Sequence, residues 1–155
     1  HKYRGSTEKT GKTIYKHSAN KGLEMQRYFE LVLFSYLTGN ADMHLKNYSL
    51  MENEFGEFEL SPAYDLVSTA LVIPDDKEES ALTLNGKKNR ILLKDFDALA
   101  QSLDINEKVL QNIYSRFKSL QTIWIEFIKN SFLSDAMQNR YIELINERGT
   151  RLFKN

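Results

Sequence analysis

Apolar positions along the chain fall into three zones, and the first and the third have a helical period. In the first zone Ser6 is a suitable N-cap for a helix that closes near Asn20, and a second helix runs on to Leu37. The second helix is apolar on nearly every side, which is typical of a helix in the middle of a protein. Its apolar residues are Leu23, Met25, Tyr28, Phe29, Leu31, Val32, Leu33, Phe34, Tyr36 and Leu37.

The third zone is predicted to contain a short helix over Phe96–Leu103, a long helix, and a last helix that Ser134 caps. Apolar residues three or four positions apart predict that Trp124 and its aromatic neighbours belong to the core rather than to a base-stacking platform. The two longer stripes are Val109, Leu110, Ile113, Phe117, Leu120, Trp124 and Phe127, and Met137, Tyr141, Leu144, Ile145 and Leu152.

The middle zone is predicted to form two β-hairpins. The first pairs Tyr48–Met51 with Glu57–Leu60, and the second pairs Ala81–Leu84 with Arg90–Leu93 around an Asn85-Gly86 turn. The region between the hairpins is predicted to be an exposed loop, made of Leu71–Pro74 and the polar stretch Asp75–Ser80. The pattern as a whole indicates a mainly α (α+β) domain with small hairpins around one loop.

Composition restricts the partners and the compartment of this domain. The chain has 155 residues, 21 basic and 21 acidic, so its net charge draws it neither to nucleic acid nor to a membrane surface. The longest apolar run, Tyr28 to Leu37, contains Glu30 and is too short to span a bilayer. The absence of cysteine excludes disulfides and thiolate chemistry and fits a cytoplasmic protein.

The candidate chemistry lies in the loop that follows the buried helix, after Gly39, a suitable C′ residue. Asp42 and Asn47 are five positions apart, and Asp65 follows on the far side of the first predicted hairpin. Because antiparallel strands bring their outer ends together, the side-chain oxygens of Asn47 and Asp65 are expected to approach one site. An amide oxygen and a carboxylate suit Mg²⁺, and Asp42 would then be the carboxylate that orients a hydroxyl nucleophile.

These residues carry a family resemblance. The segments Asp42–Asn47 (D-x-H-x-K-N) and Ser61–Asp65 (S-P-x-Y-D) resemble the active-site signature of HipA-family serine/threonine kinases, the toxins of bacterial toxin–antitoxin pairs. The resemblance implies that residues 1–155 form a single C-terminal, helical lobe of a HipA-like, protein-kinase-like fold. It also implies transfer of the γ-phosphate of ATP to a protein hydroxyl with Mg²⁺, and a DNA-binding antitoxin as a partner.

The resemblance also assigns a role to each matching residue. Asp42 would be the catalytic aspartate, and Asn47 and Asp65 would hold Mg²⁺. His44 would contact phosphate, and Tyr64 would lie beside the nucleotide. The motif's lysine receives no role.

One part of a kinase is missing from the sequence. No glycine-rich loop followed by a strand lysine is present, so the nucleotide-binding N-terminal lobe is expected in the same protein or in a companion chain. The chain starts at His1 rather than at methionine, which fits a piece of a longer product. Because positioning of ATP is most of this chemistry, the chain alone is predicted to have little or no activity.

Alternative interpretations remain. A non-catalytic module that binds an antitoxin-like partner is the runner-up. A metal-dependent phosphohydrolase is disfavoured, because such sites usually hold two metals with several histidine and aspartate ligands and this chain has only His1, His17 and His44, at no ligand-like spacing. The segment Lys9–Thr13 imitates a phosphate-binding loop but has no strand before it and is predicted to be a solvated helix start. The basic residues Lys87, Lys88 and Arg90 are predicted to form the exposed rim of the second hairpin.

Overall fold

The computed structural model describes residues 2–73 and 75–153. Within them the chain forms six α-helices, one 3₁₀ turn and two strands. In chain order these are α1 (Thr7–His17), α2 (Lys21–Leu37), the 3₁₀ turn (Leu45–Asn47), β1 (Leu50–Glu52), β2 (Phe58–Leu60), α3 (Thr69–Val72), α4 (Leu93–Ser102), α5 (Glu107–Lys129) and α6 (Asp135–Phe153). The predicted mainly α fold is confirmed.

Helix α2 is the centre of the fold and packs against α1, α4, α6 and β2. Four of its side chains have no exposed surface: Tyr28, Phe29, Leu33 and Leu37. A helix that is apolar on every side is stable only where other elements surround it, so this position follows from the sequence pattern. Among the helices of the described residues none has the length and hydropathy that a bilayer crossing requires.

The first predicted hairpin is present, with shorter strands than the sequence indicated. β1 and β2 are antiparallel, with Leu50 opposite Leu60. The Asn53 side chain closes the turn, because its Oδ1 accepts hydrogen bonds from two turn amides. Glu24 of α2 is buried, and its Oε2 accepts a 2.7 Å hydrogen bond from the Leu60 amide. This carboxylate fixes the hairpin to the central helix.

The second predicted hairpin is wrong. A single antiparallel bridge, between Leu84 and Lys87, closes the Asn85-Gly86 turn without extended strand pairing, and α4 begins at Leu93. Asn85 and Lys87 both donate hydrogen bonds of 2.8 Å to the buried carboxylate of Asp95. The segment therefore folds around this carboxylate instead of pairing with a second strand.

Two lysines near this turn, Lys87 and Lys88, form ion pairs with Asp95 and Glu78. Burial alone would raise the pKa of Asp95, but hydrogen bonds from Lys87, the Leu92 amide and Asn85 outweigh burial and lower the pKa. Lys88 forms a separate pair with Glu78. Arg90 is exposed as predicted, but Lys87 and Lys88 are half-buried in these ion pairs, and the strands predicted to carry the rim do not form.

Three further predictions concern the aromatic residues of α5, the loop at α3 and the Lys9–Thr13 segment. Phe127, predicted to be core, is 74% exposed on the outer side of α5, whereas Trp124 packs edge-on against Phe34 and Phe117 as predicted. Helix α3 covers Leu71 and Val72, the first two residues of the predicted exposed loop, and Leu71 is buried; Pro74 of that loop lies outside the described residues. The segment Lys9–Thr13 lies within α1 and does not form a phosphate-binding loop.

Gly39 ends α2 in the conformation that the sequence predicted. Its φ is +80°, and a Cβ there would lie 2.6 Å from Leu144 Cδ2 and 2.8 Å from Ser68 Oγ. We expect Gly39→Ala to lower the free energy of unfolding by about 2–4 kcal/mol, since left-handed backbone and overpacking both oppose it. Urea denaturation followed by circular dichroism measures this change.

Gly22 provides the matched control. It lies in the first turn of α2, and a Cβ there would meet no atom within 4 Å. Gly22→Ala is expected to leave stability unchanged or to raise it by up to about 1 kcal/mol. Equal stability of Gly39→Ala and the unaltered protein would show that the loop after α2 does not need this conformation.

Candidate active site

The loop after α2 is held in place by α3. The Gly39 carbonyl accepts a 3.0 Å hydrogen bond from the Ala70 amide, and the Ala41 amide donates a 2.8 Å bond to Thr69 Oγ1. Backbone groups of a loop need such partners when they leave a buried helix. The polar residues that follow are therefore presented from a fixed backbone.

Asn40 joins this loop to the segment that contains Asp65. The Asn40 side chain is buried, and its Oδ1 accepts a 3.1 Å hydrogen bond from the Asp42 amide. Its Nδ2 donates a 3.4 Å hydrogen bond to the Asp65 carbonyl oxygen. One side chain thus fixes the backbone at both carboxylates of the candidate site, a role that sequence reasoning did not assign to it.

Asn47 and Asp65 lie in direct contact, as the hairpin argument predicted. Asn47 Nδ2 donates a hydrogen bond of 2.9 Å to Asp65 Oδ2. Asn47 is buried at the end of the 3₁₀ turn, and its amide also approaches the Asp42 carbonyl at 3.4 Å. Asp65 has a φ of +55°, an uncommon conformation for a residue other than glycine, which aspartate tolerates better than most.

The carboxylate of Asp42 has contacts of its own, apart from this pair. Its side chain is 45% exposed. Oδ1 accepts a 2.9 Å hydrogen bond from the Tyr3 hydroxyl, and Oδ2 lies 4.0 Å from His44 Nε2. The site therefore has the half-exposed carboxylate of Asp42 beside a pair made of a buried amide, Asn47, and an exposed aspartate, Asp65.

His44 is buried between this loop and the amino-terminal segment. Only 6% of its surface is exposed, and the Tyr3 ring lies edge-on to it at 5.4 Å between centroids. Its Nε2 is the nitrogen on the Asp42 side, and its Nδ1 has no hydrogen-bond partner. The structure places His44 in the candidate site, and its phosphate contact stays a prediction.

Tyr64 braces the loop. Its hydroxyl donates a 2.8 Å hydrogen bond to the Lys46 carbonyl and lies 2.6 Å from Ser49 Oγ. These bonds connect the segment before Asp65 to the segment that contains Asn47. The ring remains partly exposed, and its predicted place beside a nucleotide stays a prediction.

Lys2 and Tyr3 belong to the site although sequence reasoning missed them. They lie about forty positions before Asp42, and no motif or period marks them. The Lys2 ammonium lies 4.7 Å from the Tyr3 ring centroid. The pKa of Lys2 is raised, first by its hydrogen bond with Tyr3 and also by the carboxylates of Asp42 and Asp65. A positive charge therefore accompanies the two carboxylates at neutral pH.

The donor set of the Asn47–Asp65 pair fits Mg²⁺. This ion commonly takes one or two protein oxygens and completes its shell with phosphate oxygens and water. Asp65 supplies a carboxylate and Asn47 an amide group, already in contact with each other. Across residues 2–73 and 75–153, no three histidine or acidic side chains come together as a metal cluster.

The helical scaffold and the loop that it supports have a kinase-like fold of the HipA type. Residues 1–124 match the HipA-like C-terminal domain, so the chain belongs to that family. The fold agrees with this assignment. HipA of Shewanella oneidensis MR-1, in a structure of the toxin–antitoxin HipA and HipB with operator DNA, superposes with a TM-score of 0.79 over 95% of this chain at 23% identity.

Relatives similar in sequence carry kinase names. A Sinorhizobium fredii protein named "Putative kinase Y4dM" is 37% identical over 112 residues, which are 69% of this chain and 27% of that protein. A Haemophilus influenzae protein named "Putative kinase" is 28% identical over 120 residues, 68% of this chain and 35% of that protein. The chain thus spans about a third or less of the length of these relatives, and it covers 35% of the Shewanella chain.

Proposed function

We propose that this chain is the C-terminal catalytic lobe of a HipA-like serine/threonine protein kinase. In this function the lobe, together with an N-terminal lobe in the same or a companion chain, transfers the γ-phosphate of ATP to a hydroxyl of a protein. The proposal rests on one observation above all, the 2.9 Å contact between Asn47 and Asp65, with the backbone carbonyl of Asp42 3.4 Å from the same Asn47 amide. This is the set of groups that kinase chemistry requires.

Asn47 and Asp65 are the residues that would hold Mg²⁺. When bound, the ion would neutralise charge on the phosphates of ATP. The buried position of Asn47 and its bond to the Asp42 carbonyl fix this side chain before any ligand arrives. Fixed groups need little reorganisation during the reaction, which is the main advantage of such a site over water.

Asp42 would act on the protein substrate. Its half-exposed carboxylate can accept the proton of an incoming hydroxyl while the hydroxyl oxygen attacks the γ-phosphorus and ADP leaves. The Asn40 side chain holds the Asp42 amide at 3.1 Å, so the carboxylate starts from a fixed backbone. Orientation of this kind is part of the rate enhancement that a kinase provides.

The experiment compares this chain alone with the complete protein that carries both lobes. Each is incubated with γ-labelled ATP, Mg²⁺ and candidate protein substrates, and label on serine or threonine is measured. We expect transfer only where both lobes are present, because a single lobe contacts ATP from one side and does not fix its position for the reaction. Transfer that is undetectable with both lobes, in every metal tested, would contradict the kinase proposal.

An antitoxin-like protein is the second proposed partner. The Shewanella HipA with this fold was solved together with HipB and its operator DNA. The net charge of the present chain is zero, so contact with DNA would be made by the partner rather than by this lobe. A catalytic lobe could bind such a partner, and so could the non-catalytic module of the alternative interpretation.

A further inference from the structure

The amino-terminal segment Lys2–Gly5 is docked onto the loop that carries Asp42. The Leu45 amide donates a 3.2 Å hydrogen bond to the Lys2 carbonyl. Gly5 lies close to the Leu45 side chain, where a Cβ would be 3.2 Å from Cδ2. Leu45 therefore contacts the segment both before Tyr3, at Lys2, and after it, at Gly5.

Within this docked segment the Tyr3 side chain contacts the proposed base, Asp42, and its neighbour His44. Its ring lies edge-on to His44 at 5.4 Å, and its hydroxyl donates to Asp42 Oδ1 at 2.9 Å. The Lys2 ammonium lies over this ring, 4.7 Å from its centroid. The ring is thus held by neighbours, and the hydroxyl has a defined direction.

We propose that Tyr3 is a positioning residue for Asp42, an inference that rests on the proposed kinase function. A half-exposed aspartate can turn about its side-chain bonds, and rotation would take its oxygens away from the substrate hydroxyl. The Tyr3 bond stops this rotation by occupying Oδ1. Oδ2, which lies 4.0 Å from His44 Nε2, is then left to accept the proton of the substrate.

The test uses the complete protein with both lobes and the variant Tyr3→Phe. This variant keeps the ring against His44 and removes only the hydroxyl. We expect kcat to fall about 10-fold while the KM values for ATP and protein substrate stay within about twofold, since an aligned base affects the reacting complex. Tyr15→Phe is the matched control, because Tyr15 lies exposed on α1 and is expected to have no effect.

A double-variant cycle separates positioning from packing. In the Asp42→Asn background, Tyr3→Phe is expected to change the residual rate less than about twofold, because no proton acceptor remains at position 42 for Tyr3 to orient. An equal loss in both backgrounds, an unchanged kcat, or a higher kcat from an opened site would each overturn the proposal.

A second measurement does not depend on activity. The ¹³Cζ chemical shift of labelled Tyr3 is expected to move in Asp42→Asn and to stay unchanged in Asp75→Asn, which alters an exposed loop. If the unaltered protein transfers no phosphate but this shift appears, the kinase proposal fails and the Tyr3–Asp42 contact stands. If the shift is absent, the positioning role fails whatever the activity.

Discussion

Asp42→Asn is expected to reduce phosphoryl transfer by about 10²- to 10⁴-fold in the protein that carries both lobes, because a positioned general base contributes this much. The amide has the shape of the carboxylate and can still accept the hydrogen bond from Tyr3. It cannot take a proton from the substrate hydroxyl. Steady-state transfer of labelled phosphate measures the loss, and circular dichroism shows whether the fold is kept.

Asp75→Asn is the charge-matched control for this prediction. Asp75 lies in an exposed loop beyond α3, so the same chemical change there is expected to leave the rate unaltered. Full activity of Asp42→Asn, with the control also active, would mean that another group accepts the proton or that no base is needed. The assignment of Asp42 would then be wrong while the metal site would remain open to test.

The second large effect is expected at Asp65. Asp65→Asn removes the only charged member of the Asn47–Asp65 pair and is expected to lower transfer by about 10²- to 10³-fold, the cost of losing one preorganised electrostatic group. The Mg²⁺ concentration that gives half of the remaining activity is expected to rise, because carboxylates bind this ion better than amides do. A magnesium titration of the rate measures both changes.

This titration distinguishes the two acidic residues. Asp42→Asn is expected to lower the rate at every Mg²⁺ concentration without moving the half-saturation point, since Asp42 is not a proposed ligand. An unchanged magnesium dependence in Asp65→Asn would contradict the role of the Asn47–Asp65 pair. The result would leave the fold and the family unaffected.

Much of the fold could be predicted because its signals are local. The all-round apolar pattern placed α2 at the centre, and the helix ended where Gly39 predicted. The approach of Asn47 to Asp65 followed from hairpin geometry, which brings the outer ends of two short strands together. Each of these predictions depends on residues close in sequence or on one turn.

The errors and omissions come from side-chain contacts that no local sequence pattern encodes. The second hairpin failed because Asp95, ten positions from Asn85, gathers the turn's side chains around a buried carboxylate. Phe127 continues the apolar spacing of α5, but no part of the core covers it, whereas Trp124 packs against the core. The contact of Tyr3 with Asp42 joins residues 39 positions apart, and no pattern in the chain signals such a pair.

The most direct test of the proposal is a structure of the complete protein with Mg²⁺ and a non-hydrolysable ATP analogue. We predict a metal ion about 2.0–2.1 Å from an oxygen of Asp65 and from Oδ1 of Asn47, with Asp42 outside its coordination shell. The Asn47–Asp65 hydrogen bond would then be replaced by metal contacts. A structure with bound nucleotide and metal in which this hydrogen bond persists and the ion lies elsewhere would contradict the proposed site.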